Sequence, residues 1–168
     1  MRRRFILAIG AATAMSGPAG AQSAVAAAAR LNGQHPSAYY TEAMRLFRAG
    51  QREDAVFVFY LGQLRYRTHL AAHPELPRSG DPAAFGALSE TVGRPINEYA
   101  FGDMPRLMKT IDAVLAYDRG NPDRFTDPAA FPEAYRRNRE GMVGFRNDIA
   151  GRMDEIRRTR QSNGLENR

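Results

Sequence analysis

From His35 onward the apolar residues recur at three- and four-residue spacings, and turn signals divide them into helices. Tyr39, Ala43, Leu46 and Phe47 share one face of a helix that follows Pro36, a residue suited to a first helical turn, and that stops at Gly50. The next helix spans 53–68 and opens on Glu53-Asp54, where the helix N-terminus favours negative charge. Its middle, "AVFVFYLGQLRYR", is apolar nearly all round. Val, Phe and Tyr favour strands. The run nevertheless continues through Leu61, Leu64 and Tyr66 without a turn signal and begins four residues after a helix stop. This predicts a central helix covered on several sides.

Further along, the pentapeptide Asp-Pro-Ala-Ala-Phe occurs at 81–85 and again at 127–131, each time reading as an aspartate N-cap followed by a first-turn proline. The first copy starts a helix over 82–92 with Phe85, Leu88 and Val92 inward and Gly93 as its stop. The second starts a turn that Pro132 interrupts. Between them, Met104, Leu107, Met108, Ile111, Val114 and Leu115 form a helical stripe capped by Asp103 and closed by Gly120 and Pro122. A last helix, about 132–160, carries Tyr135, Met142, Phe145, Ile149, Met153 and Ile156. Within it Asp148–Arg152 and Asp154–Arg158 stand at i,i+4 spacing, and Gly141, Gly144 and Gly151 suggest close packing or a bend. Residues 23–33 read as a short alanine-rich helix and 161–168 as a disordered tail. The expected fold is therefore all-α: a single-domain helical bundle over 22–160, about five to six helices, with one antiparallel hairpin at its heart.

The N-terminus changes the charge argument. "MRRRFILAIGAATAMSGPAGA" has three arginines, a short apolar run and small residues at its end, the parts of a secretory signal cleaved after Ala21. No polar residue precedes the arginines, so the Sec route fits better than the twin-arginine route. Those 21 residues hold no acid, so their removal lowers the net charge from +6 to +3. A modest charge and a periplasmic or secreted location both weigh against nucleic acid as a partner. The apolar run is too short to span a bilayer, so no transmembrane segment is expected after cleavage. There is no cysteine, so stability rests on a packed core, for which a mature chain of this length suffices.

The stretch from Pro36 to Tyr66 resembles one tetratricopeptide hairpin, on Ala43 and Leu46 in the first helix and Ala55, Phe59 and Gly62 in the second. Small residues at 43, 55 and 62 would let the two helices approach closely. One copy is present where repeat arrays need about three, so a lone hairpin inside a bundle is expected. The strings "AVFVFYLGQLRYR" and "GRPINEYAFGD" also resemble a family of small exported bacterial proteins. That resemblance implies location and assigns no activity.

Catalytic signals are sparse. There is no Cys nucleophile and no G-x-S-x-G elbow. His69 and His73 stand four apart, but Pro74 works against helix at His73 and no third ligand is near in sequence, so neither a metal nor another cofactor is expected. The polar cluster of Arg94, Asn97, Glu98, Tyr99 and Asp103 lies on a short connection between apolar helices, either a recognition site or a solvated turn in which Glu98 and Arg94 pair. Arg65 and Arg67 are the other candidate anchors for a partner, or else hold buried acids of the same domain. The expectation is a non-enzymatic exported protein that binds another protein, a toxin-neutralising immunity protein being one instance. The alternative is a cell-envelope hydrolase working through carboxylates such as Glu42, Glu90 or Glu98.

Overall fold

The computed structural model describes residues 19–168, so residues 1–18 of the expected export signal lie outside the described residues. The described chain is all-helical, with α1 at Ala19–Leu31, α2 at Ser37–Arg48, α3 at Arg52–Ala72, α4 at Asp81–Leu88, α5 at Arg94–Ala100, α6 at Met104–Gly120, α7 at Pro132–Gly151 and α8 at Met153–Ser162. A π turn over Ser89–Gly93 joins α4 to α5, and a single break at Arg152 separates α7 from α8. Counted as bent rods, these make six helical rods around one core.

The helix α3 is that core. Phe59, Val58, Leu61 and Tyr66 are fully shielded from solvent, and α1, α2, α5, α6 and α7 all pack against it. Side chains are buried on every face of α3 from Asp54 to Leu61, so an apolar run that mimics a strand in composition is stable as a helix enclosed by other helices. The pair α2–α3 turns at Gly50, whose φ of +80 is the left-handed conformation that closes a helix, with the Gln51 N–H donating to Leu46 O at 3.0 Å. The two helices run antiparallel: Tyr40 meets Phe59, and His35, just before α2, meets Tyr66 near the end of α3. At Gly62 a Cβ would lie 2.4 Å from Tyr39 Cβ, so only glycine permits this approach.

Several local expectations are corrected. Gly93 stops no helix: the π turn carries the chain through it, and Pro95 falls in the first turn of α5, where its missing N–H is not needed. The segment 93–103 is thus helical and not an open connection. Asp81 does not cap α4, because its carboxylate is drawn to two histidines instead, whereas Asp103 does cap α6 by accepting from the Arg106 N–H at 3.1 Å. The last helix is two helices. Its break at Arg152 takes that residue out of register with Asp148, and Arg152 pairs with Glu155 while Asp154 pairs with Arg157. Gly141, Gly144 and Gly151 have no heavy atom within 4 Å of an added Cβ, so they mark no close packing. The C-terminal residues, read from sequence as a disordered tail, fold back: the Arg168 N–H donates to Gly102 O at 2.6 Å and Leu165 N–H to Arg160 O at 2.9 Å.

Candidate functional site

The candidate residues do not converge on one surface. Arg65 lies at the centre of the molecule with no solvent exposure, so it is not a partner anchor. Its guanidinium donates to Tyr39 Oη and to Asn121 O (2.8 Å), and faces Asp118 Oδ1 at 3.5 Å and Asp123 Oδ1 at 3.7 Å. Arg139 holds the other oxygen of Asp118 at 2.7 Å. Burial pushes the Tyr39 hydroxyl up to about 12, so it stays protonated throughout the neutral range. Arg67 is exposed and stacks over Phe85 at 5.4 Å. Arg94, Asn97 and Glu98 line a shallow groove of 400 Å³ against Ile156 and Arg160 of α8. Tyr99 turns the other way, donating to Glu53 at 2.6 Å beneath the Arg168 guanidinium.

The carboxylates of the hydrolase alternative are also dispersed. Glu42 is taken by Arg30 and Arg45, which ties α1 to α2. Glu90 pairs with Arg94 in the open. Only Glu90 and Glu98 share a groove, and both are exposed.

Two features that local sequence did not announce stand out. The first is an open groove of 730 Å³ between α1, α3 and α6. Phe57 and Tyr117 meet edge to face at 5.7 Å on its floor, with Val25 and Ala113 on its walls. Its basic rim is Arg106 and Lys109; Arg106 is already paired with Glu53 at 3.1 Å, while Lys109 is exposed and has no ion pair among the described residues. On the opposite rim Asp54 is buried, and that desolvation holds its carboxyl above the usual aspartate range against a hydrogen bond with Ser23.

The second is a cluster of His35, His69 and Asp81, whose nearest ligand atoms all lie within 4.8 Å of one another. His35 comes from the α1–α2 loop, His69 from the last turns of α3 and Asp81 from the start of α4. Both Nε2 atoms face the same oxygen, Asp81 Oδ2, at 3.2 and 3.0 Å. Burial holds the His69 imidazole below its ordinary value, although its hydrogen bond to Asp81 works in the opposite direction. His69 and His73, four apart in sequence, do meet in a ring contact at 4.9 Å despite Pro74, but His73 turns its Nδ1 to Glu75. The two partners of His69 lie on other elements, His35 34 residues before it and Asp81 12 after it.

Among the described residues no helix is long and apolar enough to cross a membrane. Comparison with protein-family models, with curated proteins and with solved structures gives no match.

Proposed function

We propose that this chain is a non-enzymatic exported protein that binds another protein, and that the α1–α3–α6 groove is where the partner docks. The observation that carries the reading is the composition of the groove. Its floor and walls are apolar, and it opens to solvent beside an exposed Val25, whereas surface apolar patches of this kind rarely go uncovered. The occupant that fits is one face of an amphipathic helix, with apolar residues at helical spacing over Phe57 and Tyr117 and a carboxylate reaching Lys109. Lys109 is the single lysine of the chain and meets no carboxylate among the described residues, so an acidic flank on the partner complements it. An immunity protein that covers a toxin is one protein of this kind. The signal-like N-terminus and the tetratricopeptide-like α2–α3 hairpin support the same reading.

A photo-crosslinking residue placed at Ala113 in the producing bacterium tests it, with the same residue at exposed Ala129 as control. The expected result is one adduct of defined mass at 113 and none at 129. Val25→Asp should remove the adduct while melting like the parent. Equal labelling at both positions, or an adduct indifferent to Val25→Asp, would rule the groove out. Sequencing the mature N-terminus checks export separately: Gln22 is expected, and an intact Met1 chain in the cytoplasm contradicts it.

A further inference from the structure

We infer that His35, His69 and Asp81 form a binding site for a divalent transition-metal ion of the zinc class. Two imidazoles and one carboxylate are the donor set that such ions prefer, whereas magnesium and calcium demand oxygen alone. The spacing agrees. Ligands about 2.1 Å from a tetrahedral ion stand roughly 3.4 Å apart. The two Nε2···Oδ2 separations are 3.2 and 3.0 Å, a few tenths of an ångström inside that edge, and all three ligand atoms lie within 4.8 Å of one another, so small side-chain shifts would seat the ion.

Each outer nitrogen lies beside a hydroxyl that could orient a metal-bound histidine. His35 Nδ1 lies 2.7 Å from Ser37 Oγ, and His69 Nδ1 lies 3.4 Å from Thr126 Oγ1. Each hydroxyl can accept a hydrogen bond from Nδ1–H and leave Nε2 free to coordinate. The Ser37 N–H, 3.2 Å from His35 Nδ1, favours the opposite tautomer while no ion is bound. Binding therefore moves the His35 proton from Nε2 to Nδ1, from which it is donated as a hydrogen bond to Ser37 Oγ.

The surroundings form a half-closed shell. Phe125 packs 5.1 Å from both imidazole rings, and Tyr66 meets His35 edge to face at 5.4 Å. The loop that delivers His35 is fixed to the loop that carries Phe125 and Thr126: Asn32 Oδ1 accepts from the Arg124 N–H at 3.0 Å, and its amide donates to Pro122 O at 3.1 Å. His69 is nearly covered, whereas the His35 and Asp81 side chains keep 35% and 27% of their exposure. One coordination position thus faces solvent, open to water or to a donor from a partner. An ion there would join three separate segments of the chain.

The test is zinc binding by the untagged, full-length mature chain, measured by competition with a chromophoric chelator and by metal analysis after dialysis. One zinc per chain is expected, with no binding of magnesium. His69→Ala and Asp81→Asn should each weaken zinc binding at least tenfold, and Ser37→Ala about tenfold, as for other residues that orient a ligand. His73→Ala, adjacent to the site but outside it, should bind as the parent does. Should a ligand variant fail to fold, cobalt substitution of the parent decides the matter, since a four-coordinate site gives intense visible bands that the hydrated ion lacks. A parent chain without stoichiometric zinc and with only the hydrated-cobalt spectrum overturns the proposal. So does His73→Ala losing zinc as fully as His69→Ala.

Discussion

Arg65 and Asp118 form an ion pair sealed from water: Nε and Oδ1 lie 3.5 Å apart, and neither side chain has any exposed surface. Neither of those two atoms has a hydrogen-bond partner, so the attraction between them is Coulombic, while Tyr39, Asn121 and Arg139 satisfy the remaining polar atoms. Asp123 joins the same charge cluster and receives the Phe125 N–H at 3.1 Å, so the pair anchors the loop that follows α6 to the middle of α3.

Removing the arginine therefore strands the Asp123 carboxylate and leaves Asp118 with Arg139 alone. Arg65→Met should cost about 3–5 kcal/mol, the usual penalty for leaving a buried charge unpaired. Arg67→Ala, on the exposed side of the same helix, should change stability by less than about 0.5 kcal/mol. Denaturant unfolding of the two variants checks the contrast; equal losses would contradict the burial pattern.

Gly62 and Phe59 test the α2–α3 contact from opposite directions. Gly62→Ala places a methyl group 2.4 Å from Tyr39 Cβ, a backbone-proximal atom that cannot swing aside, and should cost about 1–3 kcal/mol. Phe59→Ala opens a cavity among fully buried rings and should cost about 3–5 kcal/mol. Thermal melts of both should fall below the parent.

The opposite result is expected on α7. Gly141 and Gly144 are exposed within a regular helix, and nothing lies within 4 Å of their added Cβ atoms. Gly141→Ala and Gly144→Ala should each stabilise the fold by about 0.5–1 kcal/mol through helix propensity and a less flexible unfolded chain. A melting point below the parent would mean that this face packs against something.

Glu42 supplies a pH-dependent term. A hydrogen bond from Arg45 holds its carboxyl below the usual glutamate range, overcoming the opposing effect of burial. A depressed folded pKa contributes stability that is present above the ordinary value of about 4.3 and lost as pH falls through the lower, folded value. Glu42→Gln should thus melt below the parent at pH 7, by the equivalent of about 0.2–1 kcal/mol. The two melts should converge once the pH is below both values. A gap that persists there would assign the loss to packing and not to charge.

Much of the fold follows from local pattern. The stripe from Met104 to Leu115 and its Asp103 cap depend on neighbours three and four residues away, so they are visible in the chain itself. The same holds for the stop at Gly50 and for the central place of α3, because a helix apolar on all sides can be stable in water only when enclosed. Tertiary structure decided the rest. Asp81 begins a Asp-Pro-Ala-Ala-Phe segment just as Asp127 does, yet only its position beside His35 and His69 turns its carboxylate away from the helix end. Arg65 and Arg67 differ by two positions, and it is the packing of α6 and α7 that buries one and leaves the other in water. Charged and metal-binding groups act through space at distances of 3–4 Å, regardless of how many residues separate them. A sequence pattern records periodicity along the chain and carries no measure of that separation, so the ion pair, the histidine cluster and the groove emerge only once the helices are packed.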